Sequence, residues 1–217
     1  MVLGVIMMAT MVPTMIGLNE ATQGSRDQEE ARRSEARKQR GHLVATVSLT
    51  QGTPTMRQQV HNAKVQVGLD GRLYITKHPS ASMVPFNGGF HTHPDFAPDN
   101  TSGLVTVSGE KAPTLRWVFR DAKTHEMRWG GRLDSEGHVC GPFDWTPDEQ
   151  YLTMEGWEGW LAVRLPDDEM QDSTNDVGGV QGHETWRLYF DANDDGANLP
   201  PGAQGLEVRL KRTVAES

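Results

Sequence analysis

The sequence predicts an all-β domain, an antiparallel sandwich or barrel, carried behind an N-terminal helical segment. Three observations lead there. After residue 41 apolar residues recur at every second position in short runs. Those runs are separated by Gly, Pro, Asp and Asn turns. No long pattern of helical period lies between them, which excludes a parallel α/β sheet. The expected organisation is an N-terminal segment over residues 1–41, a β-rich domain over 42–212, and within it a mobile acidic loop at 166–184.

The N-terminal segment changes character along its length. Residues 1–18 carry no charged side chain and are mostly Val, Leu, Ile and Met with small residues. The run is short for a spanning helix, which needs about 20 apolar residues, and Pro13 is expected to interrupt its hydrogen bonding. A cleaved secretory signal would carry basic residues before the apolar run and a small-x-small site after it, and residues 19–24 offer no such site. Residues 25–40, SRDQEEARRSEARKQR, are rich in helix formers with Glu29 and Arg33 at i,i+4, and predict a solvated helix. The segment is therefore read as a membrane contact or as a packing surface for the domain or another subunit, with homo-oligomerisation among the expected consequences. Basic residues following the apolar run would keep that side in the cytoplasm on insertion. A removed signal, and with it secretion, stands as the alternative.

In the β domain, Ala63, Val65, Val67 and Leu69 alternate with polar residues, Asp70 and Gly71 supply a tight turn, and Leu73 and Ile75 resume the pattern. A second hairpin places Leu115, Trp117 and Phe119 before a turn at 121–125, with Met127 and Trp129 on the return. Further strands are expected at 43–49, 104–107, 160–165, 186–190 and 206–210. The chain has six Trp, and most are expected in the core. Trp157 and Trp160, in EGWEGW, are the candidates for a ligand-binding platform, because a flat indole face stacks on a sugar or a peptide.

A formal charge of −8 argues against nucleic acid, which requires a concentrated field of Lys and Arg. The acidity is concentrated in residues 144–195, where Arg164 and Arg187 are the only basic residues. That half could attract a cation or a basic partner, although a solvated acidic face is the simpler reading. The single Cys140 cannot form an intramolecular disulfide and favours a reducing, intracellular compartment. His138 lies two residues away, but no catalytic cysteine signature surrounds the pair. Ser108, in VSG, lacks the glycine two residues earlier that a nucleophile elbow requires.

Two motifs suggest metal. In GGFHTHP, His91 and His93 at i,i+2 could share zinc, with Asp95 or Asp99 as a further ligand. The run resembles the HxHP core of JAMM-type zinc isopeptidases, a resemblance that implies a metal-binding Asp further on and an upstream Glu as base. Leu104 stands at the Asp position, Thr101 at the preceding Ser position, and Asp70 is the only acidic residue between His42 and Phe90. In DANDDG, Asp191, Asn193 and Asp195 present oxygen at alternate positions before Gly196, as in the first half of an EF-hand loop, and make calcium the one candidate cofactor. The twelfth position of that loop is Gly202, where a bidentate Glu is expected, and the loop follows a strand.

The MVLG opening, the LDGRLYI hairpin, GPFDWT, EGWEGWLAV and WRLYFDANDDG resemble an uncharacterised family of ascomycete fungal proteins over nearly the whole chain. The Asp-rich turn and the Trp segments belong to that shared pattern, whereas HTHP does not. The resemblance implies a fungal, β-rich protein and carries over no activity, cofactor or catalytic residue. The sequence is accordingly read as a non-enzymatic binding or interaction protein, with an unidentified protein partner or a membrane surface engaged by its N-terminal segment. The alternatives are a secreted or surface glycan-recognition module and a metal-dependent enzyme.

Overall fold

The computed structural model describes residues 11–93, 102–107, 115–166 and 185–214. The acidic loop beyond Pro166, Ser108, and the candidate zinc ligands Asp95 and Asp99 lie outside these residues. The chain divides into two units, Met1–Gln39 and Arg40–Ser217.

The first unit contains helix α1, Met11–Lys38. Pro13, expected to interrupt the helical hydrogen bonding of the apolar run, lies within the described helix, and the residues before Met11 lie outside the described ones. Good helix formers carry the helix onward, and Arg37 and Lys38 in its last turn complement the negative end of its dipole. Side chains 23–32 are exposed. Among the described residues no helix is long and apolar enough to cross a membrane.

The second unit is built from strands β1 Gly41–Thr46, β2 Lys64–Gly68, β3 Leu73–Thr76, β4 Met83–Pro85, β5 Gly88–His91, β6 Gly103–Val107 and β7 Leu115–Arg120. They continue with β8 Met127–Gly130, β9 Phe143–Trp145, β10 Leu152–Met154, β11 Trp160–Arg164, β12 Trp186–Phe190 and β13 Gln204–Val214. Among the described residues two short helices interrupt them, α2 Pro54–Val60 and α3 Arg132–Ser135. Helix α2 starts where Thr53 accepts a hydrogen bond from the Met56 N–H and Pro54 supplies a preset φ.

Among the described residues all strand pairs are antiparallel, and six of the strands close a ring. β1 pairs with β2, β2 with β3, β3 with β12, β12 with β11, β11 with β13, and β13 with β1. Of the sandwich and the barrel expected from sequence, the barrel-like closure is the one formed. The ring closes at Val44 opposite Lys64, next to the Ala45 N–H donating to the Ala63 carbonyl at 2.8 Å. Its inside is apolar because the strands alternate. Leu43 and Ala45 on β1, and Leu206, Val208 and Leu210 on β13, are buried, while Glu207 and Arg209 face outward.

β5, β6, β7 and β8 form a run that leaves β1 where Gly41 faces Gly88 and returns through bridges between Arg72 and Arg128 and between Glu126 and Tyr189. At that return the buried Glu126 carboxylate lies 3.2 Å from Arg72 Nε and 3.5 Å from Arg187 Nη1. Burial raises its pKa above the ordinary Glu value, and the neighbouring guanidinium groups only partly offset that.

The first predicted hairpin forms with its Asp-Gly turn, in which Gly71 adopts φ +80° and its N–H donates to the Gly68 carbonyl at 3.1 Å. Leu69, expected to continue the buried alternation, is instead 68% exposed, because the chain leaves β2 at Gly68 to enter that turn. Ile75 is fully buried in the ring. Replacing Ile75 by Ala should therefore cost about 2–5 kcal/mol and lower the melting temperature by roughly 5–15 °C in calorimetry. Leu69→Ala should stay within about 0.5 kcal/mol of the parent.

Candidate functional site

EGWEGW folds from its glycines outward. Glu155 and Gly156 both take positive φ, 53° and 90°, and form a two-residue turn in which Met154 and Trp157 exchange N–H···O bonds of 3.0 and 3.2 Å. Gly159 then provides two close approaches. A Cβ at this position would lie 2.5 Å from the Trp157 ring and 2.4 Å from the Asp191 carbonyl oxygen. The Gly159 carbonyl accepts the Asp191 N–H at 2.7 Å. The Trp segment and the Asp-rich turn, more than thirty residues apart, are thus stitched together at one glycine.

The two tryptophans part company there. Trp160 is 1% exposed, donates its indole N–H to the Leu152 carbonyl at 2.6 Å, and packs edge-on to Phe190 with centroids 4.9 Å apart. Its proposed role as a platform is corrected by this burial: it is a core residue at the start of β11. Trp157 is half-buried, 6.0 Å from Phe190 in an edge-on arrangement, and lines a surface pocket.

The Asp191 side chain is buried and spent on its own turn. Oδ1 accepts N–H bonds from Asn193 at 3.4 Å and Asp195 at 3.2 Å, and Oδ2 accepts one from Gly196 at 2.6 Å. Burial raises its pKa, but the backbone donors outweigh that and hold it below the ordinary Asp value of 3.8. Asp194, Gly196, Ala197 and Asn198 have positive φ, so the loop is a succession of left-handed residues anchored on one carboxylate. Asn193 and Asp195, the other two candidate calcium ligands, are exposed. Among the described residues no three His, Cys, Asp or Glu side chains converge on a point suited to a metal.

His91 is exposed and His93 buried, and both rings lie edge-on to Trp117, with centroids 6.4 and 4.6 Å away. The zinc reading of these histidines thus meets an aromatic packing role for both. Cys140 is buried, with Sγ 3.8 Å from the Ser135 carbonyl.

The pocket beside Trp157 has a volume of about 240 Å³. Strand pairing assembles it, since Trp160 faces Val208 and Leu161 faces Glu207 in register, and β1 lies on the other side of β13. Its walls are Trp157, Glu158 and Gly159 from the Trp segment, Trp160 and Leu161 at the start of β11, Asp191 and Asp194 from the turn, Glu207, Val208 and Arg209 from β13, and Thr46 at the end of β1 with Ser48 and Gln51 after it. Arg209 grips Glu158 in a fork, Nε to Oε2 at 2.7 Å and Nη2 to Oε1 at 2.9 Å, and its guanidinium lies 3.6 Å from the centre of the Tyr151 ring. The Glu158 hydrogen bonds raise the Arg209 pKa above its usual value. Gln51 donates to Glu207 at 2.5 Å. Both fixed pairs leave further oxygen lone pairs and N–H groups at the pocket wall, beside one half-exposed aromatic ring.

The sequence signalled Trp157 and Asp191. It gave no signal for Gln51, Glu207 or Arg209, which reach the same pocket only through the register of β1, β13 and β11.

A family model described as the fungal beta-trefoil domain matches residues 17–216. No curated protein and no solved structure matches the chain.

Replacing Asp191 by Ala should destabilise the domain by about 1–3 kcal/mol near neutral pH. Because the folded pKa is depressed, the contribution of Asp191 is present above pH 3.8 and lost as pH falls through the lower folded value. Urea midpoints should therefore separate parent and variant widely at pH 6 and draw together below pH 3.8. Gly159→Ala should cost about 1–3 kcal/mol through overpacking, since one of the atoms it meets is backbone.

Proposed function

We propose that this chain, which belongs to the fungal beta-trefoil domain family, is a non-enzymatic binding protein whose ligand sits in the pocket beside Trp157. The observation that carries this reading is the convergence of two distant motifs on one concave surface. A half-exposed indole lies there among Asp194, Glu207 and the Glu158–Arg209 fork. An aromatic face beside fixed hydrogen-bonding groups suits a ring with an apolar face and hydroxyl groups on its edge, which is the chemistry of a sugar unit. At about 240 Å³ the pocket falls below the roughly 300–1,000 Å³ usual for drug-sized ligands. It accordingly suits one ring of a larger glycan better than a whole large ligand. Paired carboxylates at the pocket wall disfavour an anionic ligand.

Quenching of intrinsic Trp fluorescence by a panel of neutral mono- and oligosaccharides tests the assignment. Saturable quenching by at least one of them is expected. Trp157→Phe and Asp194→Asn should each weaken binding about tenfold or more, with circular dichroism unchanged. Asn is chosen at 194 because it tolerates the left-handed conformation found there, φ 56°. Binding that survives both substitutions, or no binding by any neutral saccharide, would contradict the proposal.

A second reading concerns the N-terminal unit. Helix α1 presents exposed side chains from residue 23 to 32 and constitutes a unit of its own. An isolated helix gains little from propensity alone and is stabilised mainly by burying a face. We infer that this segment makes a membrane or assembly contact. In liposome flotation and sedimentation velocity, the full-length protein should float or self-associate and a chain starting at His42 should do neither. Equal behaviour of the two chains in both assays would reject the inference.

A further inference from the structure

A second cavity, of about 410 Å³, opens between the turn joining β2 to β3 and the β7–β8 hairpin. Its lining combines two guanidinium groups, Arg116 and Arg128, with two carboxylates, Asp70 and Asp134, and with the rings of Phe119, Trp129 and His138. The acids are already engaged. Asp70 accepts hydrogen bonds from the Tyr74 hydroxyl at 2.5 Å and from Arg72 Nη1 at 3.0 Å, and Asp134 Oδ2 accepts the Gly131 N–H at 2.7 Å. Burial and then the bond to Asp70 push Tyr74 up to about 12, so the hydroxyl remains its donor at neutral pH.

The cations are not neutralised in the same way. Among the described residues the Arg116 side chain makes no hydrogen bond or ion pair, and its buried Nε lacks a partner. The carboxylate nearest to Arg128 is Asp121, at 3.9 Å, the outer edge of an ion pair. His138 Nδ1 accepts the Ala122 N–H at 3.2 Å, which leaves Nε2 as the N–H of the ring. That ring stacks on Phe119 with centroids 5.1 Å apart and planes 20° apart, which holds it in place. A buried donor without an acceptor is costly, and in a protein of net charge −8 two under-neutralised arginines on one cavity wall stand out.

We propose that this cleft binds a small organic anion, recognised through an oxyanion group that accepts hydrogen bonds from Arg116 and Arg128. Guanidinium groups bind carboxylate, sulfate and phosphate through paired N–H donors, and the Phe119 and Trp129 side chains supply an apolar wall for the body of the ligand. The cleft is separate from the pocket beside Trp157: the two share no lining residue, and their ligands differ in charge.

The test is an NMR titration of the full chain at constant ionic strength, following the Trp129 indole and arginine Nε signals. Inorganic phosphate, sulfate, acetate and benzoate are added separately to distinguish the source of the oxyanion. At least one anion should give saturable shifts, with benzoate stronger than acetate if the apolar wall contributes. Arg116→Gln should weaken binding by about tenfold or more, and Arg116→Lys, which keeps the charge and loses the fork, should fall between Gln and the parent. Arg132→Gln, at an exposed residue that does not line the cleft, removes the same charge and should stay within about twofold. No saturable shift with any of the four anions up to about 10 mM, or equal affinity in parent and Arg116→Gln, would overturn the proposal.

Discussion

Closure of the six-strand ring is the constraint on which the rest of the domain depends. A strand with an open edge leaves unpaired N–H and C=O groups, and closure removes that edge. Here the burden falls on β1. It pairs along its whole length with β13, touches β2 at Val44 and meets β5 at Gly41, so the strand that opens the domain is held by the last strand of the ring. Gly41 itself has little freedom, since a Cβ there would come within 2.8 Å of the Thr213 carbonyl oxygen. The outward faces of β1 and β13 then become one wall of the Trp157 pocket, which is how a folding requirement positions a binding surface.

The same closure explains the unequal fates of the polar groups. Glu126 and Asp191 are both buried, yet their pKa values move in opposite directions. Glu126 has charged neighbours that do not fully repay its desolvation, whereas Asp191 accepts several backbone N–H bonds from the turn it organises. The first joins the returning β8 to the ring, and the second shapes a surface loop.

Much of the fold was legible in the sequence. The alternation of Val65, Val67, Leu73 and Ile75 around Asp70 and Gly71 specified a hairpin because period, turn chemistry and β-branching agreed. Strand β12 fell at residues 186–190, as its apolar run suggested. Short strands were harder. β9 and β10 have three residues each, too few for a period to show, and Gly88 and Gly89 mask β5. Helix α2 was not expected, because its seven residues are too few for a helical stripe. Family membership supports the fungal, β-rich part of the resemblance seen in the sequence.

The site was legible in fragments. Trp157 and Trp160 look alike in EGWEGW, and the carbonyl that captures the Trp160 indole belongs to Leu152, on another hairpin. The Asp191 turn was recognisable by composition, but the partnership of Asp191 with Gly159 depends on the pairing of β11 with β12. Mapping backbone amide shifts on a ¹⁵N-labelled full-length chain during saccharide titration tests the central claim most directly. The account predicts a cluster of shifted amides at 157–160, 191–196 and 207–209. Shifts confined to the cleft at Arg116 and Arg128, or to helix α1, would contradict it.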